Sequence, residues 1–306
     1  MGHVDLQKKI KKLLKEKNAI LLVHYYQRDE IQEIADILGD SLALSIEAAQ
    51  TDADIVVFAG VRFMAESASI VSPDKTVLLP RLDAGCPLAD MITVPQLEKA
   101  KKENPDAAVV TYVNSSAEVK AHSDICCTSS NALRVVNSLK NYKKVLMVPD
   151  GNLARYTARF TEKEIIPWNG FCPVHHFVKP QEVKDVKAKY PQAQFAAHPE
   201  CVPEVLDIAD YVGSTKGIIK FSKETDAEEI IVGTEIGIMY QLKKEIPGKT
   251  FIPASDNLIC RTMKYITLED ILSSLLEMKH VIKVPEDVRV PAEKALKGML
   301  EVGAED

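Results

Sequence analysis

The sequence predicts an α/β protein of three small three-layer α/β/α domains, each with its own small parallel sheet and related to the others by a pseudo-threefold axis. Two observations carry this prediction. Continuous apolar runs of four to six residues alternate with amphipathic stretches along the chain, the pattern of strands buried on both faces between helices. Polar residues also recur at one interval. His24, Tyr112 and His198 stand 88 and 86 residues apart at the ends of three strand-like runs, and Tyr26, Asn114 and Glu200 keep the same spacing. Two residue columns in one register mark an internal repeat.

Each repeat is expected to open on the run that carries those columns: Ile20-Leu-Leu-Val-His24-Tyr-Tyr26, Ala108-Val-Val-Thr-Tyr112-Val-Asn114 and Gln194-Phe-Ala-Ala-His198-Pro-Glu200. A second run follows in each, at Ile55 to Gly60, Asp124 to Thr128 and Tyr211 to Thr215, and then a third, at Val77 to Pro80, Val145 to Pro149 and Ile230 to Gly233. Ligands of open α/β sheets bind beyond the carboxyl ends of the strands, so three such ends facing one axis would enclose a single pocket. The repeat gives expected domains of 1–84, 85–171 and 172–267, with 268–306 packing back on the first because no fourth repeat is present.

With 306 residues, 46% of them hydrophobic and 27% charged, the chain has enough length for two or three cores. Its net charge of −6 argues against a nucleic-acid partner, which would need a basic face. No apolar stretch approaches the roughly 20 residues that cross a bilayer, and the first residues lack the apolar segment of a secretory signal. A cytoplasmic protein without a membrane partner is expected. The Lys8 to Lys17 run alternates Lys with Ile and Leu, as a solvated amphipathic helix does.

Six cysteines in such a chain point to metal or core positions rather than disulfides. Cys86, Cys172 and Cys260 stand 86 and 88 residues apart, one to a repeat, and proline directly follows the first two. Three thiolates converging on an axis would hold a metal with one coordination position open. Soft thiolates suit zinc or iron–sulfur, and Cys-Pro occurs among iron–sulfur ligands. Zinc held by the three sulfurs and His175 or His176 is the other reading. Cys126, Cys127 and Cys201 are expected in the core.

The segments His24-Tyr-Tyr-Gln27, Gly39-Asp-Ser41, Gly60-Val-Arg-Phe-Met-Ala-Glu66, Ala84-Gly-Cys86, Thr111-Tyr-Val-Asn-Ser-Ser116, Thr128-Ser-Ser-Asn131, Pro149-Asp-Gly-Asn152, His198-Pro-Glu-Cys201, Gly213-Ser-Thr215 and Gly233-Thr-Glu235 resemble the quinolinate synthase family of NAD biosynthesis, over essentially the whole chain. The resemblance implies three α/β/α domains around a [4Fe–4S] cluster, ligated here by Cys86, Cys172 and Cys260. The implied reaction condenses iminoaspartate with dihydroxyacetone phosphate to quinolinate, with loss of phosphate and two waters. L-aspartate oxidase or aspartate dehydrogenase would supply the imine. A C-x-x-C pair near the last ligand, proposed as a redox switch in some members, is missing at Cys260-Arg-Thr-Met263. Two rivals remain: a radical S-adenosylmethionine enzyme of the diphthamide type, and a zinc-stapled binding protein without chemistry.

That chemistry needs anion sites, acid–base pairs and a Lewis acid. Ser41, Ser129, Ser214 and Thr215 stand where helices are expected to begin, suited to a phosphate or carboxylate or simply to capping. His24 and Tyr26 share one strand face at i and i+2 and are expected to serve the enolisation of the triose. His198 and Glu200 share a face likewise, with Glu200 the candidate base. His198 and His176 would meet substrate carboxylates, Tyr112 would cover the open metal position, and Asn114 would hydrogen-bond a carboxylate.

Overall fold

The computed structural model describes residues 2–303. Three sheets follow one another along the chain. The first contains β1 (Ala19–His24), β2 (Ile37–Gly39), β3 (Ile55–Ala59) and β4 (Thr76–Leu78), the second β5 (Ala107–Tyr112), β6 (Ile125–Cys127), β7 (Lys144–Val148) and β8 (Glu164–Pro167), and the third β9 (Gln194–Ala197), β10 (Tyr211–Val212), β11 (Glu229–Gly233) and β12 (Thr250–Pro253). All three share the spatial order second, first, third, fourth, and every pairing among these twelve strands is parallel. The short β13 (Val281–Ile282) adds an antiparallel edge to β4. The protein is thus three α/β units with small, parallel-dominated sheets, as its buried apolar runs predict.

The register of the first repeat differs from the sequence expectation. The sequence pattern pairs Ile55 to Gly60 and Val77 to Pro80 with the second and third runs of the other repeats. The topology makes β2 the counterpart of β6 and β10, and β3 that of β7 and β11. β2 is three residues long, too short for periodicity to mark it. β8 and β12, the fourth strands, were missed for a related reason, since both are half exposed at sheet edges.

Helix ends are set locally. Asp40 caps the helix Ser41–Gln50, accepting from the Ala43 N–H at 3.0 Å, Thr267 forms a capping box with Asp270 on Leu268–Glu277, and Thr93 does so with Gln96 on Val94–Glu103. The first helix, His3–Glu16, buries Leu6, Ile10 and Leu14 and packs on Leu268–Glu277. Beyond β13 the chain was expected to stay on the first domain up to residue 306, of which 304–306 lie outside the described residues. The helix Glu286–Val302 instead lies against the helix Ala117–Ala121 and β6 as well as Arg62–Val71. Its buried Ala292, Ala295, Leu296 and Met299 face both the first and the second unit.

The first two units accordingly share one apolar core, while the third has its own clusters around Phe195 and Ile230. Cys126, Cys127 and Cys201 are fully buried in these cores. No helix among the described residues is long and apolar enough to cross a membrane.

Candidate active site

The carboxyl ends of β1, β5 and β9 face one cavity between the three units. Its walls include His24, Tyr26, Ser41, Tyr112, Asn114, Ser129, His198, Glu200 and Thr215, and all three of Cys86, Cys172 and Cys260 open onto it. Each cysteine follows the fourth strand of its sheet, so one sulfur comes from each unit, and Cys86 and Cys172 close the first and second units rather than falling in the second and third as the expected boundaries at 85 and 172 have it. All are free thiols. Burial raises their pKa values, that of Cys86 to about 12.

One device recurs at two of the strand ends. The Tyr26 N–H donates to His24 Nδ1 at 3.1 Å, and the Glu200 N–H donates to His198 Nδ1 at 3.4 Å. Using Nδ1 as acceptor leaves Nε2 of each neutral ring to carry the proton. Both imidazoles are buried, which lowers each pKa to about 3. His198 Nε2 lies 3.2 Å from Ser129 Oγ.

Glu200 and His175 form the polar centre. His175 Nδ1 is 2.7 Å from Glu200 Oε2, and the His175 and His198 rings stack at 4.6 Å. Burial would raise the Glu200 pKa, but the neighbouring His198 and His175 more than offset it and lower it, which favours the ionised carboxylate. His175 Nε2 meets Thr234 Oγ1 at 2.9 Å, and that hydroxyl is 2.6 Å from the Tyr26 hydroxyl, which also meets Thr215 Oγ1 at 2.8 Å. A continuous chain therefore runs from Tyr26 through Thr234 and His175 to Glu200. Burial pushes the Tyr26 and Tyr112 hydroxyls well above the usual range, so both are proton carriers rather than phenolates.

Two expected residues lie elsewhere. His176 is outside the cavity, stacked on Phe171 at 4.1 Å and bonded to Asn152 Nδ2 at 3.0 Å. Neighbouring helical residues point about 100° apart, so only one of the histidine pair in Pro173–His176 can face inward, and it is His175. Ser214 caps the helix Thr215–Glu224 through the Gly217 N–H at 3.1 Å and borders a neighbouring cavity. Thr234 escaped the sequence reading. Its signal was its place directly after β11, within the Gly233-Thr-Glu235 segment.

The site suits a metal centre bound by sulfur. Three thiols from three units face one cavity, a soft donor set, and metal binding would draw off the protons that burial otherwise keeps on them. Asn114 Oδ1 and Glu200 Oε1 are buried without hydrogen-bond partners, as groups awaiting a ligand would be. Cys172, His175 and Glu200 also place ligand atoms within 4.8 Å of one another, although both His175 nitrogens are already engaged.

Three pseudo-symmetric α/β units closing on a thiol-lined pocket with buried acid–base groups define an enzyme whose pocket fits a metal. Comparison with known proteins specifies which. The family model described as Quinolinate synthetase A protein matches residues 8–301. Quinolinate synthase from Geotalea uraniireducens is 58% identical over 302 residues, covering 99% of both chains. The enzyme from Alkaliphilus metalliredigens is 56% identical over 303 residues, with 99% of this chain and all of its own covered, and quinolinate synthase 1 from Methanosarcina acetivorans is 53% identical over 302 residues, covering 99% of both. The chain belongs to the quinolinate synthase family, enzymes of NAD biosynthesis.

Proposed function

We propose that this protein condenses iminoaspartate with dihydroxyacetone phosphate to form quinolinate, phosphate and two waters. The observation that carries the reading is the convergence on one cavity of a thiol from each unit, the Glu200–His175 pair and the His24–Tyr26 strand end. Cys86, Cys172 and Cys260 would hold a [4Fe–4S] cluster, which when bound supplies a Lewis-acidic iron for loss of hydroxide.

The chain's own residues do the rest. The hydroxyls of Ser41, Ser129 and Thr215 line the walls where a phosphate or carboxylate would sit. Asn114, with a partnerless amide oxygen and two amide protons, offers hydrogen bonds to a substrate carboxyl or imine. His24 presents a neutral Nε2–H that polarises the triose carbonyl, and Tyr26 moves the proton of enolisation through Thr234 to His175. Glu200, ionised and oriented by His175, takes the proton from the amino-acid-derived carbon and returns it during dehydration. His198 steadies a carboxylate, and Tyr112, in the cavity wall, would cover the open metal position. Enclosure excludes water from an imine and an enediolate that it would destroy.

The test is an anaerobic absorption spectrum of the purified protein, with iron and sulfide content and a quinolinate assay on the same sample. Brown protein that forms quinolinate from both substrates is the expected result. Colourless, zinc-binding protein without turnover would overturn the reading, and S-adenosylmethionine cleavage would redirect it to radical chemistry.

A further inference from the structure

Two buried carboxylates have no part in the chemistry above. Asp150 and Glu235 each stand two residues beyond the third strand of their sheets, β7 and β11, and each accepts the backbone N–H of a cavity cysteine. Asp150 Oδ2 receives the Cys172 N–H at 3.1 Å, and Glu235 Oε1 receives the Cys260 N–H at 3.1 Å. The other oxygen of each is tied to its own turn, Asp150 Oδ1 by the Leu153 N–H at 2.8 Å and Glu235 Oε2 by the Gly237 N–H at 2.7 Å. Both side chains are buried, and only Glu235 has an ion-pair partner, Lys264 at 3.2 Å.

The same frame surrounds all three cysteines. In each unit the residue after that position donates its N–H to the carbonyl two residues before the cysteine: Arg62 to Ala84 at 2.8 Å, Gly151 to Gly170 at 2.8 Å and Ile236 to Leu258 at 2.9 Å. At Gly151 and Gly170 the backbones approach so closely that a Cβ on either would fall 2.4 Å from a carbonyl oxygen. The frame therefore has threefold symmetry, but the carboxylate does not. Its counterpart in the first unit is Val61, a side chain that cannot accept a hydrogen bond.

We propose that Asp150 and Glu235 are positioning residues that hold Cys172 and Cys260 in place before metal arrives. Cys86, lacking such a clamp, is the leg that settles last. A carboxylate bridging two N–H groups fixes the cysteine backbone relative to the strand end, so the sulfur position is inherited from the sheet. Two fixed legs create a partial site, and the free leg allows iron and sulfide to enter before it closes. This rests on the three cysteines being metal ligands, as proposed above.

The test uses the full-length, metal-free protein under reducing conditions and reads hydrogen exchange at the individual cysteine amides by mass spectrometry. In the unsubstituted chain the Cys172 and Cys260 amides should exchange at least about tenfold more slowly than that of Cys86. Asp150→Asn is the informative variant: its one amide oxygen can cap Leu153 or accept from Cys172, but not both. Exchange at Cys172 should rise about tenfold while Cys260 is unchanged, and Glu235→Gln should give the reverse. Uptake of iron, supplied as equal ferrous and ferric salts, and of sulfide should slow in both variants, with the final content unchanged. Equal protection at all three cysteines, or unaltered Cys172 exchange in a folded Asp150→Asn protein, would overturn the clamp. A chain that shows the predicted exchange but binds no iron would refute the metal reading and leave the clamp standing. If Asp150→Asn fails to fold, the Glu235→Gln pattern and the Cys86 comparison decide.

Discussion

His175 Nδ1 and Glu200 Oε2 lie 2.7 Å apart, with both side chains buried in the wall of the cavity. His175 comes from the short helix directly after Cys172, and Glu200 from the end of β9. The pair therefore couples the residue assigned as base to the segment that carries one of the sulfurs.

Glu200→Gln keeps the shape of the side chain and removes its basicity. Quinolinate formation should fall by at least about 10²-fold while the absorption spectrum and iron content stay as in the parent protein. Turnover within a few-fold of the parent would remove Glu200 from the mechanism.

The two neighbouring histidines should part company. His175→Ala breaks bonds to both Glu200 and Thr234 and should lower kcat by about 10²-fold or more. His176→Ala removes a ring that stacks on Phe171 outside the cavity and should leave kcat within about threefold, on the range of surface substitutions. Steady-state kinetics on the two variants side by side decides it.

Thr234→Val, nearly isosteric, interrupts the link between Tyr26 and His175 and leaves the buried His175 Nε2 without its partner, while Tyr26 keeps its bond to Thr215. A loss of about 1–3 kcal/mol in stability by chemical denaturation is expected, together with a drop in kcat. Thr234→Ser should restore both. Should Val and Ser behave alike, the hydroxyl is not part of the proton path.

Acid should destabilise the fold through two buried histidines, beginning near the pKa of a free imidazole. His24 and His198 have pKa values lowered from 6.5 to about 3 by burial. Between those values the unfolded chain binds a proton at each position that the folded protein does not. The stability that these two neutral rings contribute is therefore complete above about pH 6.5 and is lost toward pH 3, each adding a slope of up to about 1.4 kcal/mol per pH unit. Denaturation midpoints from pH 7.5 to 4.5 test this, and replacing either histidine by Gln should flatten the curve.

The six cysteines should divide by location. Ser at Cys86, Cys172 or Cys260, which face the cavity, should lower bound iron and abolish activity. Ala at Cys126 or Cys201, which are fully buried in the cores, should retain iron at a cost of about 1–2 kcal/mol from the small cavity left behind. Iron analysis and denaturation on the same preparations separate the two groups.

Much of this arrangement was legible because a repeat writes itself into sequence in two ways. Strands buried on both faces must be continuously apolar, and the polar residues that end them must recur at the repeat interval. That is why β1, β5 and β9 and the residues at their ends could be placed beforehand. The three-residue β2 carries no period, so the register of the first repeat could be corrected only by the pairing of Leu22 with Ile37 and of Ile20 with Val56.

The sequence by itself determined the α/β class, the threefold repetition and the near-equal spacing of Cys86, Cys172 and Cys260, because these depend on local pattern and spacing. Tertiary structure alone decided that His175 and not His176 turns inward, that Thr234 joins Tyr26 to His175, that Ser214 is spent on a helix cap, and that the last helix bridges two units. Each of those depends on direction and distance between segments tens to hundreds of residues apart. Side chains meet there because packed sheets bring their ends together, a constraint that leaves no period in the chain.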